Sequence, residues 1–258
     1  MNASLIEILD KFLVVIWPML RLSAFLAFTS IFSIRAVNMR IRVLLGFSMA
    51  FLVSQQLDIP RIDPLSADGL VEIFRQILIG LTMGLVSQVA SAAMVVAGQA
   101  VSGSMGLSIA NMMDPNMGNV PVISQLMIVM STLIFVGFGG HAILLGLVSD
   151  SFHALPIGTS ILNQNVYGRV LQWSSMVFLG AVLMALPVMV SLLFINIGLG
   201  VVTRAAPSLN IFAVGFPAMI IAGFLILIIS MESIGARIEW LWIQGFNVLR
   251  DVMGVAHV

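Results

Sequence analysis

The sequence predicts an all-α integral membrane protein, with about six long apolar helical segments in hairpins and a broken loop near the middle. Three observations carry that prediction. Of 258 residues, 60% are hydrophobic and 9% charged, and the mean hydropathy is +1.13, whereas soluble domains carry about 25% charged residues. The charges are also unevenly spread. None falls between Arg75 and Asp114, and none again between Asp114 and Asp150 with His141 neutral. Finally, uncharged runs recur at lengths near or above the roughly 20 residues that cross a bilayer as a helix. The net charge of zero gives no pull toward nucleic acid or an acidic partner. Having no cysteine, the chain has no disulfide, thiolate metal site or cysteine nucleophile.

At the N-terminus, Glu7 and Asp10 stand where a signal peptide would be basic, and no A-x-A site follows the apolar run. A cleaved signal is therefore not expected. The first segment, residues 12–32, contains Trp17-Pro18 and, near its centre, Arg21. An arginine at a bilayer midplane costs about 2.5–3.5 kcal/mol, so Arg21 is expected in a buried ion pair, or its segment lies outside lipid. Residues 33–42 form a basic tip with Arg35, Arg40 and Arg42, and residues 43–57 make a second segment too short for a full span. The pair reads as a helical hairpin. Residues 58–72, with Asp58, Arg61, Asp63, Asp68 and Glu72, read as a solvent-facing loop.

The third segment, about residues 74–101, is rich in small residues, and its Gly80 and Gly84 form a G-x-x-x-G pattern that lets helices approach closely. The fourth spans residues 122–148 and contains Gly137-Phe138-Gly139-Gly140-His141. A polar connection over residues 150–169 leads to the fifth, residues 170–202, where Pro187 is expected to introduce a kink. The sixth spans residues 211–231. In the tail, Ile234, Ile238, Leu241, Trp242, Phe246 and Leu249 recur at helical spacing among charges, predicting an amphipathic helix over about residues 232–251. The organisation expected is an N-terminal part, 1–121, and a C-terminal part, 122–258, within one structural unit. Lys and Arg in alternate connections show a small excess on the side of the amino terminus, but the densest cluster lies on the opposite side, so charge sets no orientation.

Residues 98–121, GQAVSGSMGLSIANMMDPNMGNVP, are the stretch around which the rest is organised. Glycine and proline weaken a helix through backbone entropy and a missing N–H, so a break is expected here. Irregular backbone beside membrane-grade helices is tolerated only where protein buries it or water lines it. Met105, Met112, Met113 and Met117 are flexible and polarizable, suited to a deformable seal across a pore; the alternative is chance clustering among eighteen methionines. Asp114-Pro115 offers either a pore-lining carboxylate or an Asx-type turn. His141 is either a titrating group or a hydrogen-bonded member of the bundle. Arg204, like Arg21, is expected in a structural ion pair. His153 and His257 lie too far along the chain to suggest a metal triad, and no H-E-x-x-H, phosphate loop, cofactor fingerprint or nucleophile–base pattern occurs. Neither a cofactor nor an enzyme is expected.

Three groups of residues occur in order: Gly106-Leu107-Ser108 leading to Met113-Asp114-Pro115; Gly140-His141 leading to Ser151-Phe152 and Leu155-Pro156; and Arg204-Ala205-Ala206-Pro207-Ser208-Leu209-Asn210-Ile211-Phe212 leading to Gly215-Phe216-Pro217. Together they resemble the FliR family of flagellar biosynthetic proteins and its injectisome relatives, over essentially the whole chain. The resemblance implies a subunit of the export gate of flagellar type III secretion, in the bacterial inner membrane at the flagellar basal body. It implies a pore-bearing hetero-oligomer with FliP and FliQ, to which FlhB attaches and through which unfolded flagellar proteins pass. It implies a FliP-like N-terminal part, a FliQ-like C-terminal part, and a central loop acting as plug, carried here by Met105, Gly106, Met112, Met113, Asp114, Pro115 and Met117. Gly140, His141, Arg204, Pro207, Asn210, Phe212, Gly215 and Pro217 become structural motif positions. Helices raised above the bilayer plane would explain Arg21 and the short second segment. The competing readings are a self-contained secondary transporter with a broken-helix site and a purely architectural subunit.

Overall fold

A chain this poor in charge must satisfy its backbone N–H and C=O groups internally, and helices do so within one segment. The computed structural model describes residues 2–29, 38–57, 59–60, 62–107, 121–158, 164–206 and 211–254. Among these lie nine helices: α1 (Asn2–Phe28), α2 (Met39–Ser54), α3 (Ala67–Ser104), α4 (Val122–Gly137), α5 (Gly140–Ala154), α6 (Gln164–Ser174), α7 (Met176–Ala205), α8 (Ile211–Ile229) and α9 (Met231–Met253). They form two compact units. One comprises Met1–Val89, Gly139–Ser174 and Gln244–Val258; the other comprises Ala90–Phe138 and Ser175–Ile243. Each unit draws on both halves of the sequence.

In the first unit α1 and α2 pack as the expected hairpin, with Gly46 lying over Leu26 and the Ser23 backbone. The G-x-x-x-G of α3 finds its partner in α1. A Cβ at Gly80 would stand 2.3 Å from the Arg21 carbonyl oxygen, and one at Gly84 would stand 2.6 Å from the Phe28 Cβ. Both distances are far inside van der Waals contact, so only glycine permits this approach of the two backbones. The indole N–H of Trp173, on α6, donates to the Val86 carbonyl at 2.9 Å and fastens α6 to α3. Arg169 and Asp251 pair at 3.2 Å, but both are about half exposed, and such a pair contributes little.

In the second unit the C-terminal part of α3 packs with α4, α7, α8 and the start of α9. Gly180 of α7 lies against Leu241 and Ala93. Trp242, on α9, donates its indole N–H to Ser131 Oγ at 2.9 Å, and its ring sits 4.7 Å from that of Phe135. A buried indole needs such a partner, since its N–H would otherwise go unpaired. A bend of 60° separates α8 from α9, at the point where the sequence changes from uniformly apolar to amphipathic.

By length and composition two helical runs would cross a membrane, Ala67–Ser104 and Val166–Ala205, and two broken pairs would raise the number to four. The six segments expected therefore do not map onto six clear spans. The fourth is interrupted: α4 ends at Gly137, Gly139 adopts φ 75, and α5 begins at Gly140. A left-handed residue of this kind is inexpensive only for glycine. The fifth is divided at Ser175, and α7 includes Pro187 within its length. The two long runs also differ in setting. Within α3 61% of the most apolar window is buried by the chain itself, against 33% within Val166–Ala205. The outer face of α7 thus awaits lipid or a neighbour.

Candidate functional site

Two buried constellations stand out, one in each unit. The first holds Arg21. Its side chain is fully buried. Nε donates to Gln76 Oε1 at 2.7 Å, Nη1 to the Ser151 carbonyl at 2.9 Å and to Ser151 Oγ at 3.1 Å, and Nη2 to the Leu155 carbonyl at 2.8 Å. The guanidinium also lies 4.1 Å from the centre of the Phe152 ring, a favourable cation–π arrangement. Ser151 and Leu155 close the C-terminal end of α5, where helical carbonyls have no internal partner and the dipole favours a cation. Arg21 is therefore a side-chain cap delivered from another helix.

The ion pair expected at Arg21 is corrected to an indirect one. Gln76 Nε2 donates to Glu72 Oε1 at 2.6 Å, and the Gly158 N–H donates to the same oxygen at 3.0 Å. Gln76 thus relays between cation and carboxylate, and the 2%-exposed Glu72 side chain also meets Arg75 Nη1 at 3.4 Å. Arg204 differs from expectation as well. It is exposed in the last turn of α7, with no carboxylate paired to it among the described residues. Its position there suits the negative end of the helix dipole. His141 is exposed in the first turn of α5 rather than hydrogen-bonded inside the bundle.

The second constellation is the root of the central loop. The third segment, expected to end at about residue 101, continues as α3 to Ser104. Gly98 is there for closeness, since a Cβ on it would stand 2.3 Å from the Ser124 Cα and 2.5 Å from its nitrogen. Ser124 Oγ, from the first turn of α4, donates to the Val95 carbonyl at 2.9 Å and stitches the same two helices. The helix then ends in a well-defined stop. The Leu107 N–H donates to the Ser102 carbonyl and the Gly106 N–H to the Gly103 carbonyl, both at 3.0 Å, with Gly106 at φ 80. That pair of bonds around a left-handed glycine is a Schellman cap.

Met105 lies inside this cap with no exposed surface. It packs on α8 where Gly223 leaves room, and a Cβ on Gly223 would stand 2.6 Å from Met105 Cγ and Cε. The Phe216 ring approaches Gly106 from the same helix. Met105 and Gly106 are thus anchors of the loop. Met112, Met113, Asp114, Pro115 and Met117 lie outside the described residues, as do Pro207 and Asn210. Of the remaining motif positions, Gly140 is buried at the start of α5, Phe212 falls in the first turn of α8, Gly215 is buried in α8, and Pro217 is exposed within it. Sequence reasoning missed Gly98 and Gly223 as packing positions. Gly98 does form a small-x-x-x-small pair with Ser102 that could have pointed to it, whereas Met219 and Leu227, four residues either side of Gly223, carry no such pattern.

The loop is long for its task. Residues 105–120 join α3 to α4, which already touch at Gly98 and Ser124, whereas packed helices are usually joined by roughly 2–8 residues. Connections longer than closure needs are commonly functional. Among the described residues no cluster of His, Cys, Asp or Glu would hold a metal ion.

Fold and site together define a helical, membrane-associated protein. Comparison with known proteins gives that class a family. Residues 12–244 match the model of the bacterial export proteins, family 1, and the chain belongs to that family. It is 35% identical to the flagellar biosynthetic protein FliR of Escherichia coli (strain K12), over 92% of this chain and 91% of that protein. It is 29% identical to FliR of Bacillus subtilis (strain 168), over 99% of both. It is 30% identical to Yop proteins translocation protein T of Yersinia pestis, over 61% of this chain and 62% of that protein. The chain is accordingly a membrane component of a bacterial protein-export apparatus of the flagellar, type III kind.

Proposed function

We propose that this chain is a non-enzymatic subunit of the flagellar export gate, joining FliP and FliQ in a pore-bearing hetero-oligomer at the inner membrane, with FlhB attached. Its central loop acts as a plug that yields to unfolded flagellar proteins, the energy for export coming from elsewhere in the apparatus. The observation that carries this reading is the anchoring of an overlong, methionine-rich loop at both ends: the Schellman cap with Met105 against Gly223 on one side, and the Gly98–Ser124 contact on the other. A seal must stay put when closed and deform when open. Rigid roots supply the first property and methionine the second. Met112, Met113 and Met117 are assigned to the seal, with Asp114-Pro115 turning the loop, while Met105 and Gly106 hold it. The N-terminal part corresponds in this proposal to a FliP-like element and the C-terminal part to a FliQ-like one. The apolar outer face of α7, left uncovered by the chain itself, fits burial against neighbouring subunits.

The native mass of the gently extracted chain tests the partnership, measured with and without co-expressed FliP and FliQ. A discrete hetero-complex that forms only when all three are present is expected. A stable monomer or homodimer that ignores both partners would move the secondary-transporter reading to first place.

A further inference from the structure

The second unit contains a cavity that takes no part in holding the central loop. It has a volume of about 240 Å³ and lies between α7 and α9, lined by Gly180, Leu183, Met184, Arg237, Trp240 and Leu241. Met184 and Leu241 make its floor buried and apolar. Arg237 is the one charged group in its wall. That side chain is half-buried and makes no hydrogen bond or ion pair among the described residues. The acids of its own helix do not neutralise it. Glu232 and Glu239, five and two residues away, fall on other sides of α9, because neighbours on one face are three or four residues apart.

From the cavity an exposed apolar stripe, Leu186, Val190, Leu193 and Ile197, continues along α7. With Leu183 it covers roughly 20 Å, about four helical turns. An open groove of about 390 Å³ accompanies it at Leu186, Val190 and Leu193. Apolar positions at this spacing along a groove are how one helix seats another. Trp240, 40% exposed at the rim, and Arg237 beside it belong to the residue types that dominate the energy of protein interfaces. The cavity falls below the roughly 300 Å³ at which small-molecule sites begin, and its size suits an inserted side chain.

Charge decides which side chain that is. When neighbouring subunits cover the outer face of α7, Arg237 loses its remaining water, and a cation buried without a counter-charge is strongly unfavourable. We infer that the α7–α9 cleft is the docking site for one helix of a neighbouring subunit, which sets an Asp or Glu carboxylate on the Arg237 guanidinium and lays apolar residues along the α7 stripe. Two parallel N–H···O bonds between guanidinium and carboxylate fix the register of the two helices. The site rests on the chain being a subunit of a hetero-oligomer, and is independent of the role of the loop.

The complex of the full-length chain with FliP and FliQ tests the site. A photo-crosslinking benzoylphenylalanine in place of Trp240 is expected to join a peptide of another subunit that carries an acidic residue within an otherwise apolar helix. Arg237→Glu is expected to lower the assembled fraction by about ten-fold or more, as for a like-charge clash in an interface, and Arg237→Lys to retain most of it. Exchanging the crosslinked acid for lysine should restore assembly of Arg237→Glu. The isolated Arg237→Glu chain should unfold at the temperature of the parent, because Arg237 has no partner within the chain. Crosslinks to lipid alone or to a second copy of this chain, a matching loss of stability in the isolated variant, or no rescue by the charge exchange would overturn the docking site. A parent chain that forms no complex with FliP and FliQ sinks the gate reading and the docking site together. A parent complex that forms equally well with Arg237→Glu removes the docking site alone.

Discussion

Replacing Arg21 by methionine is expected to destabilise the chain by about 3–5 kcal/mol, the range for removing one member of a buried charged network. The size follows from what is left behind. Gln76 Oε1, Ser151 Oγ and the Ser151 carbonyl lose their donor in a fully buried place, and the part-buried Leu155 carbonyl loses its donor too; an unsatisfied buried acceptor costs about 1–3 kcal/mol. Two of these are backbone carbonyls that no second mutation can delete, so an apolar residue of similar volume does not restore the site. Glu72 loses its relayed counter-charge as well. The double variant Arg21→Met with Glu72→Gln is therefore expected to recover part of the loss, whereas Glu72→Gln alone should destabilise. Thermal unfolding of the detergent-solubilised variants checks this. Equal stability of Arg21→Met and the parent chain would show that the network does not hold the first unit together.

Gly98→Ala is expected to destabilise by about 1–3 kcal/mol, the usual cost of overpacking, and the obstacle here is backbone rather than a side chain that could swing away. A Cβ at 2.3 Å from the Ser124 Cα forces α3 and α4 apart and lengthens the Ser124–Val95 hydrogen bond. Gly103→Ala, five residues on in the same helix, meets nothing within 4 Å. It is expected to be neutral or to stabilise by about 0.5–1 kcal/mol, the helical preference of alanine over glycine. The same substitution thus carries opposite signs at two glycines of one helix. Unfolding midpoints of the two variants decide the matter, and the same sign for both would contradict the close packing at the loop root.

These two sites also show how far the sequence could be read. Membrane class, the α1–α2 hairpin and the amphipathic α9 were legible because hydrophobic periodicity and charge scarcity are local signals. The need for a partner at Arg21 was legible too, since an arginine in an apolar segment must be compensated. The partners were not, because Gln76, Ser151 and Leu155 are uncharged and lie 55, 130 and 134 residues away. The break within residues 98–121 was legible too, because its glycines and prolines weaken a helix locally. The role of Gly98 was not: glycine costs a helix about 1 kcal/mol relative to alanine, and the contact with Ser124 that requires it is visible only in the packed structure. Pro187, where a kink is expected, lies within a helix that stays continuous. The loop itself was legible as an anomaly of composition, but its anchors, Met105 on Gly223 and Gly98 on Ser124, arise only from tertiary packing.

The central claim is that the loop seals a pore from fixed roots. Its most direct test is the leakage of small solutes through the assembled complex of this chain with FliP and FliQ, reconstituted in vesicles. The complex with the intact loop is expected to be tight. Replacing residues 108–120 by a short Gly/Ser connection, with Met105, Gly106 and Ser124 retained, is expected to make it leak, and replacing Met112, Met113 and Met117 together by serine should do so in part. A complex that assembles normally with the shortened loop and stays as tight as the parent would contradict the seal and leave the chain an architectural subunit.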